Sequence, residues 1–342
     1  MALGRDIAVD LGTSAVRIYA RGKGLRVDEP SVAAIDKVTG KMLGAGLAAQ
    51  RMLGRTPGNI AAIRPLIGGA ISDYEMTERM LRELIRKVDS VALFKPRILI
   101  TVPSGITEVE ERAVIDAGIA AGARKIFLIE APIASALGAG VDIAEPDGHM
   151  VVDIGGGTTD IAVLSLSGVV RSGSLKIAGD AFSDAIVRYV KRKHNILIGE
   201  RTAENLKLEL GSVYPSPDVN TMEVKGRCLL TGLPRVFTIN SDELRDAFEE
   251  PVEHILEELR SVLENTPPEL VADVSSNGIV LTGGGALLRG LDTLVTARTN
   301  IRCNIANNTA LCGVHGAGKA LNWLNEMQEG AINLARQRQL DR

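Results

Sequence analysis

Two short stretches of the chain set an aspartate, glycines and hydroxyls in the same order. Asp10-Leu11-Gly12-Thr13-Ser14 follows one apolar run, and Asp153-Ile154-Gly155-Gly156-Gly157-Thr158-Thr159-Asp160 follows another. Glycine has no Cβ, so a turn built from it brings backbone N–H groups close to an anion. Thr13, Ser14 and Thr158 add hydroxyl donors. An aspartate at the strand end, Asp10 or Asp153, orients water on Mg²⁺, which keeps much of its hydration and is held through carboxylates and phosphates. Two such turns facing each other would grip a polyphosphate from both sides. Either stretch alone also reads as an ordinary β-turn. The repetition favours phosphate, as does a third glycine-rich turn at Leu281-Thr282-Gly283-Gly284-Gly285-Ala286. That turn suits the adenine and ribose side, through close backbone approach and the positive end of a following helix; a plain strand-to-helix connection is the alternative. A Walker A sequence is absent, which excludes a P-loop enzyme, and no GxGxxG with a partner acid supports dinucleotide binding.

The elements that must carry these turns alternate between strand-like and helix-like patterns, which predicts α/β architecture. Ile7 to Val9 and Val16 to Tyr19 flank the first turn as a hairpin. Residues 40–70 are rich in Gly, Ala and Arg and read as a small inserted subdomain. Met80, Leu81, Leu84, Ile85 and Val88 predict a helix over 74–89. Arg97 to Val102 is a strand, and Thr107 with Glu110 forms a capping box opening a helix to about Ala121. Ile126 to Ile129 is a strand, with an Ala-rich helix after Pro132. In the second half, Met150 to Val152 leads into the second turn. Helices follow over 181–193 and 202–210, then a hairpin-like stretch over 212–240. Ser241 is expected to cap a long helix that Pro251 kinks or restarts. Gly278 to Thr282 is a strand, and the tail from Ala331 to Arg342 is polar, reading as a solvated helix end.

Bulk properties narrow the classes. A chain of 342 residues with 45% apolar and 24% charged residues can bury two sizeable cores. Aromatics are only 3%, so those cores rest on Ala, Val, Ile and Leu. A net charge of −3 gives no footprint for nucleic acid. Three cysteines without CxxC spacing fit a reducing cytosol and no disulfide framework, and the four scattered histidines suggest no metal site. No leader pattern or membrane-span window is present, so a cytoplasmic protein with peripheral membrane contact at most is expected.

The three turn motifs resemble the phosphate-1, phosphate-2 and adenosine motifs of the actin, heat-shock chaperone and sugar-kinase superfamily. More narrowly, Asp28-Glu29-Pro30-Ser31-Val32, Ala62-Ile63-Arg64-Pro65-Leu66, Leu93-Phe94-Lys95-Pro96-Arg97, Ile177-Ala178-Gly179-Asp180, Ile198 to Glu204 and Thr266 to Val271 are similar to the MreB family of bacterial cell-shape actins. The resemblance runs from about Asp6 to about Leu321. It implies a two-lobed actin-like fold with ATP and Mg²⁺ between the lobes, each lobe a ribonuclease-H-like core with a small inserted subdomain. By that resemblance lobe I comprises residues 1–32, 66–145 and 316–342, with its subdomain at 33–65. Lobe II comprises 146–180 and 246–315, with its subdomain at 181–245. Gly12, Thr13, Ser14, Gly155, Gly156, Gly157 and Thr158 would hold phosphates. Glu204, Lys207, Gly284, Gly285 and Ala286 would surround the adenosine, and Asp10 and Asp153 would organise Mg²⁺ through water. The family forms filaments under the cytoplasmic membrane that guide cell-wall synthesis, so further copies of the chain, MreB-type paralogues and wall-elongation proteins are the implied partners.

Some positions depart from the family pattern. The acid expected next to Pro132, which would orient or activate the attacking water, is Ala131, and Glu130 would point to the opposite face. Gln50 stands where the family has Lys, and Ala15 where Asn is common. Together these imply a divergent paralogue that binds nucleotide more than it turns it over. Leu93 and Phe94 either begin a core strand or form an apolar tip that enters the bilayer interface, as in similar proteins. A small-molecule kinase or a chaperone-type ATPase would share the nucleotide motifs. Neither an acceptor-site base nor a peptide-binding domain is recognisable here.

Overall fold

The computed structural model describes residues 6–88 and 95–330. Among them, strands build two five-stranded sheets with one plan. In the first, Asp6–Leu11 is central, antiparallel to Ala15–Ala20 and parallel to Arg97–Val102. Gly24–Pro30 and Lys125–Glu130 form its edges. In the second, His149–Ile154 takes the central place between Thr159–Ser165 and Ile279–Thr282, with Gly168–Leu175 and Cys303–Ile305 outside. Each sheet is therefore an antiparallel meander extended by two parallel strands, whose crossovers need helices. Tyr74–Val88 and Glu108–Ala120 supply them in the first half, Pro268–Asn277 and Leu291–Thr299 in the second.

Alternation along the central strands explains why both faces of each sheet are covered. Ile7, Val9 and Leu11 enter the core of the first lobe, while Ala8 turns to an apolar seam between the lobes. Met150, Val152 and Ile154 enter the second core, while Val151 turns to the same seam. Helices Ala131–Ala139 and Cys312–Ala320 cross in that seam at backbone contact. A Cβ at Gly316 would lie 1.7 Å from Ala134 O, and one at Gly138 would lie 1.9 Å from Cys312 O. Only glycine fits at either place.

Two small three-stranded sheets are set apart, one from Ala33–Asp36, Met42–Ala45 and Ile60–Ile63, the other from Ile196–Leu197, Thr221–Cys228 and Pro234–Asn240. Arg64 spans the gap between halves, its Nη2 2.6 Å from Glu200 Oε1 and its Nη1 3.5 Å from Asp180 Oδ1.

The Thr107 capping box forms as expected. One local expectation fails, and of the two alternatives at Pro251 the restart does not occur. Asn240, not Ser241, caps the long helix Ser241–Glu264: its side chain accepts from Glu243 N–H at 2.9 Å while Glu243 accepts from Asn240 N–H at 3.2 Å. Asparagine in extended backbone offers the better-placed carbonyl. The helix also passes through Pro251 without restarting. Leu244, Phe248, Ile255 and Leu259 are buried on one face, and that packing outweighs one lost backbone bond. Leu93, Phe94 and the tail from Ala331 lie outside the described residues.

Candidate functional site

Both predicted hairpins form, and their turns close with the same bond. Gly12 N–H donates to Ala15 O at 3.1 Å, and Gly155 N–H donates to Thr158 O at 2.9 Å. The turns face each other tip to tip. A Cβ on Gly156 would lie 2.1 Å from Ser14 Oγ, and one on Gly157 would lie 2.3 Å from Thr13 Oγ1. These glycines are thus required by the opposite lobe as well as by any anion. Thr13 is buried, and its Oγ1 accepts from Gly69 N–H at 2.9 Å. Ser31 braces the first turn from behind, its Oγ donating to Gly12 O at 2.5 Å.

A cavity of about 490 Å³ lies beside this contact, within the range of small-molecule sites. Asp10, Gly12, Thr13, Ser14, Gly155, Gly156, Gly157 and Thr158 line one part of it, and Glu204, Lys207, Gly284 and Gly285 another. Ala286 does not reach it and is fully buried in the second core. The helix expected after the third turn is only a 3-10 turn, Gly284–Leu287. Its short length leaves no aligned helix dipole, so close backbone approach is what remains of that expectation. Lys207 Nζ is held by Glu204 Oε2 at 2.7 Å and donates to Gly179 O at 2.8 Å.

Three carboxylates gather at the floor. Asp10 Oδ1 accepts from Thr101 Oγ1 at 2.8 Å. Asp153 Oδ2 accepts from Ser135 Oγ at 2.9 Å, and Oδ1 from Thr282 Oγ1 at 3.2 Å. Asp160 Oδ1 accepts from Ser104 N–H and Ser174 Oγ, both at 2.8 Å, which ties it to the first lobe. Burial, followed by the negative charges of Asp160 and Asp10, pushes Asp153 up to about 7. Burial likewise lifts Asp160 to about 6 against the hydrogen bonds from Ser174, Ser104 and Thr158, with Glu130 adding to the rise. The charge repulsion that Asp160 and Asp10 exert on Asp153 is what a dication between carboxylates relieves, and Mg²⁺ needs only one or two protein carboxylates. Asp10 and Asp153 therefore suit a water-mediated Mg²⁺. Among the described residues, no cluster of three or more ligands offers a dedicated metal cage.

Ala131 lines the cavity with its methyl group, whereas Glu130 does not line it and accepts from Ser104 Oγ at 2.9 Å. Gln50 is also outside the cavity wall. Sequence reasoning missed Arg17, Thr101, Asp160 as a lining group, and the apolar rim at Leu208 and Leu287. Only Asp160 and Arg17 had a signal available, since each stands the same number of residues after its motif aspartate.

Known proteins share this fold. MreB5 of Spiroplasma citri bound to AMPPNP matches with a TM-score of 0.90 over 94% of this chain and 97% of that one, at 35% identity. The MamK double helical filament has the same fold, with a TM-score of 0.80 at 21% identity over 93% of this chain and 98% of that one. Fold and cleft together define an actin-like protein. The cell shape-determining protein Mbl of Bacillus cereus is 48% identical over 329 residues, 96% of this chain and 99% of its own length. The cell shape-determining protein MreB of Escherichia coli is 49% identical over 326 residues, 94% of each. The family described as MreB/Mbl protein matches residues 4–329, and this chain belongs to it.

The carboxylate cluster sets a pH dependence. Asp153 and Asp160 bind protons more tightly folded than unfolded, so their contribution to stability is full below the ordinary value of 3.8 and is lost as pH rises towards about 7. Without nucleotide or metal, Asp153→Asn should raise the thermal midpoint relative to the parent at pH 7.5, with the gain shrinking at pH 5. Parallel melting curves across that range would refute the repulsion.

Proposed function

We propose that this chain is an ATP-binding, filament-forming actin homologue that acts in determining cell shape and organising wall synthesis. The observation that carries the reading is the meeting of two like-built glycine turns beside one cavity, with a third glycine turn on its far side. The matched relatives are named cell shape-determining proteins, and MreB5 of Spiroplasma citri was solved with AMPPNP and with ADP.

In this reading the backbone N–H groups of Gly12, Gly155, Gly156 and Gly157, with Thr13, Ser14 and Thr158, hold the phosphates. Glu204, Lys207, Gly284 and Gly285 enclose the adenosine, Ala286 supporting them from the core. Asp10 and Asp153 hold water on Mg²⁺, which when bound neutralises phosphate charge. The residue divisions given above are retained as proposed lobe and subdomain boundaries. The two small sheets fall inside the subdomain stretches and support them.

Hydrolysis is weakened in this proposal because Ala131 cannot accept a proton or orient water, while Glu130 is engaged with Ser104. Assembly is with further copies of the chain, paralogues of the family and wall-elongation proteins. The location is the inner face of the cytoplasmic membrane, contacted by Leu93 and Phe94. No described helix is long and apolar enough to cross a membrane.

Purified protein is expected to bind ATP with Mg²⁺ and to pellet on ultracentrifugation only when nucleotide is present; absence of any adenine-nucleotide affinity would overturn the reading. In single-turnover phosphate release, Ala131→Glu should be roughly 10²–10⁴-fold faster than the parent, and equal rates would dispose of the weakened-hydrolysis claim. Leu93→Ser with Phe94→Ser should abolish co-sedimentation with liposomes, while unchanged pelleting would rule out the apolar tip.

A further inference from the structure

The two hairpins share a motif but differ in what stands across the ladder from its aspartate. In the second, Asp160 is paired with Asp153. In the first, Arg17 is paired with Asp10, and Asp28 on the next strand with Arg17. Directly opposed residues place their side chains on one face of a sheet. Asp28, Arg17, Asp10 and Thr101 therefore form a row, completed by the parallel pairing of Asp10 with Thr101.

The side chains follow the register. Arg17 Nε donates to Asp28 Oδ1 at 3.0 Å, and Arg17 Nη1 is 3.5 Å from Asp10 Oδ2. Its Nη2 makes no hydrogen bond with any described residue. Arg17 lines the cavity beside Gly12, Ser14 and Ala15. Ala15 lies two positions before it on the same face and brings only a methyl group, so no neighbouring amide or hydroxyl there competes for the guanidinium.

A guanidinium stays charged at any physiological pH, and its planar fork matches phosphate oxygens. The contact to Asp10 is longer than a charge-assisted hydrogen bond, so the group is only partly committed to it. A dication organised at Asp10 would meet a fixed positive charge close by, whereas a polyphosphate there meets a resident counter-ion. At Asp153 the opposing residue is another acid, so the two hairpins divide the work unequally.

We propose that Arg17 is a phosphate-contacting residue, a built-in cation at the first turn that binds the distal phosphates of a nucleoside polyphosphate and replaces part of the neutralisation otherwise supplied by Mg²⁺. The inference rests on the nucleotide-binding reading above and adds a reduced dependence on metal.

Equilibrium titration of the full chain with a fluorescent ATP analogue, in Mg²⁺ and in EDTA, tests it. The parent should lose no more than about threefold in affinity in EDTA, and Arg17→Leu at least about tenfold, the scale of one charge-assisted contact. Arg17→Lys should fall between them. Asp28→Asn, which frees the outer side of the guanidinium, should bind in EDTA at least as tightly as the parent; this keeps the test readable if leucine at 17 unfolds the hairpin. Equal EDTA losses for the parent and Arg17→Leu would overturn the role of Arg17, as would weaker EDTA binding by Asp28→Asn than by the parent. A parent that binds no nucleotide even with Mg²⁺ would instead bring down the nucleotide reading itself.

Discussion

Ser14 and Thr13 of one lobe rest against Gly156 and Gly157 of the other so closely that no side-chain carbon fits on either glycine. Nearly every feature of the cleft follows from that approach. It brings the aspartates of both hairpins to one buried floor, where burial raises Asp153 and Asp160 and the charges of Asp160 and Asp10 raise Asp153 further. It also lets the first lobe reach Asp160 through Ser104 N–H. The Gly69 N–H bonded to Thr13 Oγ1 belongs to the same junction, since a Cβ on Gly69 would lie 2.5 Å from Thr158 Cγ2. Residues from three chain segments are thus fixed by one contact between lobes.

Behind that contact lies a duplicated plan with unequal chemistry. The sheets have the same strand order and the central strands the same burial alternation. Their charges do not match, since the position opposite the motif aspartate is Arg17 in one hairpin and Asp160 in the other. A repeated backbone fixes where charges stand without fixing their sign. One hairpin has become partly self-neutralised, and the other has been left acidic.

The sequence carried the hairpins, the glycine turns and the Thr107 capping box because each is local, set by residues within a few positions of one another. It misplaced what depends on distant packing. Asn240 wins the cap over Ser241 through the conformation in which it leaves its strand. Pro251 is tolerated because four buried apolar residues hold its helix from one side. Ala286 follows a cavity-lining glycine, yet its methyl group turns into the core. Arg17 went unread as a site residue because strand register, not the glycine motif itself, makes it the neighbour of Asp10. Laying the two hairpins over each other would have exposed it.

The helix that begins at Ala131 has its far end pinned, since Gly138 abuts the carbonyl of Cys312 and Gly316 abuts that of Ala134. Its first turn is therefore anchored by backbone contacts that owe nothing to the side chain at position 131. Position 131 presents only a methyl group to the cavity, from a helix turn that those contacts hold in place. A substitution at 131 would therefore change what faces the cavity without disturbing the helix crossing that positions it.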